Sequence, residues 1–199
     1  MSLLELFEPI LNEPIILTAT EIEGFHGTSA NAAEKIVATA KFNVNEDSTL
    51  RLGVGAYFYD KNQTDRHSAA ELAKTFAEKM RGHSPVGILL ARLKFERVAD
   101  FECPENQKAF VRTRNAIGRY LVNAADSEQV QWLRMLGLEG RDYYEFLDNI
   151  AIRCIRSRNI ECQGIRMNIE TLDGSPETHT VVCVDGDSFG VVEDIRLVP

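Results

Sequence analysis

The sequence predicts an α+β domain built around a largely antiparallel sheet. Three observations predict it: strand-like runs lie toward both ends of the chain, helical periodicity fills the stretch between them, and the composition is ordinary for a globular protein, 44% hydrophobic and 26% charged. At 199 residues the chain reads as one domain, with residues 104–160 or so as a helical insertion. A chain of this length buries roughly 70% of its unfolded surface, enough for a core without disulfides or metals.

Along the chain, residues 1–12 read as a short helix or arm with Leu3, Leu4 and Phe7 on its apolar side. Pro14 to Thr18 reads as one strand and Glu21 to Phe25 as a second, short one. Ala30 to Lys41 predicts a helix, because Ala33, Ile36, Val37 and Ala40 recur at helical spacing and Thr28 or Ser29 is placed to cap its first turn. Asn43 to Leu50 is polar and loop-like, and Ala56 to Tyr59 is a short aromatic strand. A second helix is expected from about Asp65 to Met80, with Ala69, Leu72, Ala73, Phe76 and Met80 on one face, ended by Gly82-His83-Ser84-Pro85. Val86 to Ala99 gives the longest strand signal. From Pro104 to about Ile155 the pattern is helical and charged, fitting two to four helices, with Trp132 read as packing. The tail returns to strands at Gly164–Ile169, Thr178–Val184 and Phe189–Val198.

A net charge of −8 argues against a chain that holds nucleic acid by general electrostatic attraction. Arg112, Arg114 and Arg119, or Arg153, Arg156 and Arg158, are candidates for a local basic groove, the plainer alternative being solvated helix faces. Tyr143 and Tyr144 are placed to stack on a nucleobase, or one packs inward on a helix while the other is exposed. Met1 to Glu8 has no basic leader and its apolar residues are broken by acids, so no signal peptide, no membrane span and a cytoplasmic location are expected. Cys103, Cys154, Cys162 and Cys183 form no C-x-x-C pair and no His lies at ligand spacing, which speaks for free thiols in a reducing compartment and against zinc. Asp185-Gly186-Asp187 resembles a metal loop, but a hairpin turn explains it without further carboxylates. His67 and His83 read as surface residues.

The chemistry-bearing motif is Phe25-His26-Gly27-Thr28-Ser29, followed by Leu52-Gly53-Val54-Gly55-Ala56-Tyr57-Phe58. Splitting a nicotinamide nucleotide develops positive charge on a ribose, so the site must fix the riboses, clamp the leaving ring and set an anion nearby. A histidine at a strand end suits a ribose hydroxyl, a glycine allows close backbone approach, and an aromatic gives the ring a flat partner. These residues resemble the core of the ADP-ribosyltransferases, in the His-Tyr-Glu branch that includes the poly(ADP-ribose) polymerases. The likeness covers roughly residues 22–96, and the C-terminal strands loosely.

That resemblance implies a split antiparallel sheet with flanking helices, and NAD as substrate. It places His26 and Thr28 at the adenosine ribose, Gly27 at the nicotinamide carboxamide, Tyr57 under the ring, and Ser68 as a second carboxamide contact. The imidazole of His26 and the phenol of Tyr57 are then expected to face each other across one cleft. Two departures stand out. Aligning the Val-Val pair puts His179 at the glutamate position, with Glu177 two residues earlier on the same strand face and Glu193 further on. The second nicotinamide-packing aromatic is replaced near its position by Glu71, leaving Tyr59 or Phe76 as substitutes. The leading expectation is a mono-ADP-ribosyltransferase of bacterial or phage-related toxin or defence type. His26, Tyr57 and Glu177 are its catalytic candidates, a protein, RNA or DNA its acceptor, and the 104–160 stretch its target-recognition element; an antitoxin or other partner chain stays open. The alternatives are an inactive module that binds NAD or ADP-ribose, and an NAD-dependent RNA 2′-phosphotransferase.

Overall fold

Two long strands organise the sheet: β1 (Leu17–Ser29) lies antiparallel to β3 (Val86–Asp100) along almost its whole length, from Leu17↔Ala99 to Ser29↔Val86. The computed structural model describes residues 14–42, 44, 52, 54–62, 68–82, 84–123, 140–159, 161–170 and 178–199. These divide into two compact units, one holding Ile16, Leu52 and the helices within Cys103–Ile160, the other holding the sheet. The fold is α+β, as expected from the sequence.

In the sheet unit, β1 leads into helix α1 (Ala30–Thr39), β2 (Ala56–Asp60), helix α2 (Ala69–Arg81) and β3; β4 (Gly164–Glu170), β5 (Thr178–Val184), a 3-10 turn (Gly186–Val191) and β6 (Val192–Val198) follow. The strand order is β1-β2-β5-β4-β3-β6, and the extra β1–β3 pairing closes β1, β2, β5, β4 and β3 into a five-stranded barrel. Every pairing is antiparallel except β3 with β4. The two short strands expected at Pro14–Thr18 and Glu21–Phe25 are one strand: a register shift between Thr18 and Thr20 absorbs the polar interruption as a bulge instead of ending the strand. The last strand begins at Val192, because Gly186 to Val191 winds into the 3-10 turn.

Period-two alternation gives the sheet two faces. On one, α1 packs Ala33 and Ile36 into a core with Ile22, Phe42, Phe58, Leu89, Leu93, Val182 and Val184. The fully buried aromatic and leucine side chains here each contribute about 2 kcal/mol of apolar burial. On the other face lies α2, whose Ala69, Ala73 and Ala77, spaced by four, are all buried.

One end of the barrel is polar. The Arg166 guanidinium donates through Nε to Asp60 at 3.1 Å and through Nη1 to Asp100 at 3.0 Å, tying β4 to the ends of β2 and β3. Burial alone would lower the Arg166 pKa; Asp100 and Asp60 outweigh it and hold the charge more firmly than usual. The remaining carboxylate oxygens accept main-chain N–H groups from Asn62 and Glu102.

The helical unit contains α3 (Pro104–Asn123) and α4 (Gly140–Arg158), two of the helices expected there. α3 buries Asn106, Ala109, Phe110, Thr113, Ile117 and Leu121 at helical spacing. Asn106 both accepts from and donates to the main chain of Ile16, each at 2.8 Å. Asp148, wholly buried on α4, pairs with Arg114 of α3 at 3.4 Å. The 1–12 arm and Trp132 lie outside the described residues. No described helix is long and apolar enough to cross a membrane.

Candidate functional site

β1 and β2 stay together for only two rungs, Gly24↔Asp60 and Phe25↔Tyr59. Beyond them β1 continues against β3, through His26↔Leu89 and Gly27↔Ile88, while β2 continues against β5, through Tyr57↔Cys183 and Ala56↔Val184. The two strands therefore part at His26. The imidazole Nδ1 reaches across the opening to the main-chain oxygen of Tyr57 at 2.8 Å. A carbonyl only accepts, so Nδ1 carries a proton, which fixes the ring orientation and, in the neutral ring, makes Nε2 the acceptor. The ring is wedged against Phe42 at 5.3 Å, edge-on, and against Phe58 at 5.4 Å. Phe42 packs in turn on Phe189 at 5.3 Å.

These contacts correct one expectation. His26 shares a sheet face with Phe58, and Tyr57, the residue before Phe58, faces the other way. The imidazole and the phenol do not face each other across a single cleft; His26 meets the main chain of Tyr57, not its ring. The half-buried Tyr57 shares its face with Tyr59, because both pair with the Cys183–Val181 face of β5.

Tyr59 is nearly buried, and burial pushes its phenol up to about 12. Its ring stands 6.5 Å from Phe76 of α2 and 6.5 Å from His179 of β5, edge-on to both. His179 is 2% exposed, not a surface strand residue, and lies on the Tyr57 side of the sheet. Thus the position that the Val-Val pair marks for a glutamate holds a packed histidine. Glu177 lies outside the described residues; β5 is described from the exposed Thr178. Glu193 is exposed on β6 opposite Arg92, separated from β2 by β3 and β1.

The glycines have structural causes of their own. A Cβ on Gly27 would sit 1.9 Å from the carbonyl oxygen of Ala73 and 3.0 Å from the Ala77 Cβ, so α2 occupies the space a side chain would need. A Cβ on Gly55 would lie 2.3 Å from the Val184 oxygen. The missing Gly27 side chain is therefore accounted for by helix packing and does not by itself argue for a ligand. Thr28 is buried, 5% exposed; the cap of α1 is Ser29, accepting from Ala32 N at 3.4 Å. Ser68 caps α2 in a reciprocal box with Glu71: Glu71 N donates to its Oγ at 3.2 Å, and Ser68 N donates to the Glu71 carboxylate at 2.8 Å. Both residues set against carboxamide and ring contacts are thus helix-cap residues.

The chain matches no family model, no curated protein and no solved structure.

The geometry brings together His26, the Tyr57 main chain and the β1 edge after His26, and it groups Tyr57, Tyr59, Phe76 and His179 on the opposite face. The aromatic seat of His26, formed by Phe42 and Phe58 with Phe189 behind Phe42, carries little signal in the sequence. Only Phe58 carried a signal, its parity opposite Tyr57. Among the described residues no three His, Cys, Asp or Glu side chains cluster to hold a metal. The four cysteines are free thiols, and burial pushes Cys154 up to about 11, which keeps it unreactive.

Proposed function

We propose that the opening between β1 and β2 is an NAD site and that the protein is an ADP-ribosyltransferase of the His-Tyr-Glu kind. The observation that carries this reading is the parting of the two strands at His26, with the imidazole tied to the Tyr57 carbonyl. Among the described residues the β1 edge beside Gly27 has no ladder partner on the β2 side, and it offers main-chain N–H and C=O groups at a fixed spacing, which suits a carboxamide, itself one donor and one acceptor group. His26, held between the Phe42 and Phe58 rings, orients a ribose, and Tyr57 borders the same opening from the other face of β2.

Because the rings of His26 and Tyr57 lie on opposite faces, the ligand on this reading threads the gap between strand edges instead of lying sandwiched between the two rings. The nicotinamide–ribose bond breaks with its electron pair leaving on nicotinamide, and the acceptor nucleophile takes the ribose carbon. Glu177 is the candidate anion for that step.

The buried His179 at the expected glutamate position favours a second reading, a module that holds NAD or an ADP-ribosylated ligand without turnover. Incubation with NAD labelled in the adenylate part separates the two. Transfer of label to protein or nucleic acid with release of free nicotinamide is expected, falling about a hundredfold in His26→Ala and sharply in Glu177→Gln. Saturable NAD binding without nicotinamide release, unchanged by Glu177→Gln, selects the module. Absence of both binding and turnover overturns the site.

A further inference from the structure

The helical unit carries a groove of about 430 Å³ between α3 and α4, lined by Arg114, Asn115, Gly118, Arg119, Tyr143 and Tyr144 among others. It joins two features that lie apart in the sequence, the α3 arginines and the α4 tyrosine pair. Among the described residues the lining has two arginines and no carboxylate, in a chain whose net charge is −8. An electropositive lining in an acidic protein is a local arrangement that overall composition does not supply.

The arginines are differently held. Arg114 leans on the Phe110 ring, its guanidinium carbon 5.9 Å from the centroid, and pairs at 3.4 Å with the wholly buried Asp148 beneath the groove. That carboxylate is offset by Arg114, which fixes the guanidinium in place; Arg119, five residues further along α3, is exposed at the rim. Across the groove, Tyr144 is 58% exposed and stands 6.0 Å from the Tyr143 ring at 67°. An exposed tyrosine braced by a second ring is a low-entropy stacking platform. Gly118 sits between the two sets and leaves the floor open: a Cβ there would meet only Leu147, at 3.6 Å.

We propose that this groove binds single-stranded nucleic acid, one base stacking on Tyr144 with Tyr143 behind it and the neighbouring phosphates meeting Arg119 and Arg114. Stacking on an aromatic face combined with cationic contact to the backbone is how sequence-tolerant single-strand sites work, and a groove of this size matches one nucleotide unit. A phosphopeptide would use the arginines and leave the tyrosine platform without a role. The inference stands apart from the transferase reading, since binding needs neither NAD nor turnover.

The test is fluorescence anisotropy of the full chain with fluorescein-labelled single strands of about twelve nucleotides, one RNA and one DNA of the same sequence. Saturable binding is expected at low salt, weakening with a log–log slope of about −1.4, the value for two phosphates on a single strand. Tyr144→Ala weakens binding about tenfold, and Arg119→Ala lowers the slope by about 0.7. Lys74→Ala, on an exposed face of α2 in the sheet unit, leaves both unchanged. The RNA and DNA arms tell which strand is preferred. Circular dichroism of each variant checks that folding is intact. No saturable binding of either strand, binding indifferent to both Tyr144→Ala and Arg119→Ala, or capture of a phosphorylated peptide in preference to both strands overturns the proposal.

Discussion

The two ends of β2 are built on opposite rules. At Asp60 the strand is locked: its carboxylate takes Arg166, the ladder to β1 is in register, and the next residue, Lys61, donates its N–H to the Glu23 carbonyl at 2.9 Å. Three residues earlier, at Tyr57, the ladder to β1 has ended and a side-chain imidazole takes the carbonyl that a neighbouring strand would have met. One end spends charge on closure; the other replaces main-chain pairing with a titratable ring. On the proposed reading, the difference marks where NAD would enter the barrel, because ladder bonds must be broken to open the first end and only a side chain must move to open the second.

Four substitutions break or sharpen that contrast. The largest effect is expected from Gly27→Ala beside the open end. The new methyl would fall on the Ala73 carbonyl, a backbone atom that yields only if α2 slides, so chemical denaturation should show a loss of at least about 3 kcal/mol. At the locked end, Arg166→Met leaves Asp60 and Asp100 facing each other without a counter-charge, and about 3 kcal/mol of stability should go, read from urea midpoints at neutral pH.

Tyr59, in the last rung before the strands part, ties the comparison to pH. Its phenol is raised in the folded state, so the neutral form is favoured there. The associated stability is complete below the unfolded pKa near 10 and is lost as pH rises toward about 12. A Tyr59→Phe protein should lack that loss, and the difference between the two proteins should grow to about 2–3 kcal/mol across this window. The smallest effect on stability belongs to His26→Ala. It removes the hydrogen bond to the Tyr57 carbonyl at a half-buried position, about 1 kcal/mol by thermal unfolding, whatever it does to the proposed NAD turnover.

Much of the sheet was legible because its signals are local. Ala33 and Ile36 at helical spacing, the apolar run of β3 and the Ser68-x-x-Glu71 box each encode their element within a few residues. The site was legible only in part. Alternation alone tells that Tyr57 and Phe58 face opposite ways; which of them shares a face with His26 depends on the β1–β2 register, and a slip of one residue inverts the answer. Gly27 is explained by Ala73, forty-odd positions away and brought near only by packing. The Arg166 clamp joins three strands whose members give no short-range hint of one another, beyond being charged residues at the ends of apolar runs.

One further consequence concerns how the chain reaches this state. β3 carries two partners on a single edge, β6 beside its first half and β4 beside its second, and at the seam the Gln163 side-chain oxygen accepts from both Glu96 N and Arg97 N, at 2.8 and 3.0 Å. All three caps come from the C-terminal fifth of the sequence. During synthesis, then, the central strand emerges with one flank bare until residues 161–198 leave the ribosome, and such late, distant closure is slow. The nascent chain should be most exposed to chaperones and to self-association in that interval.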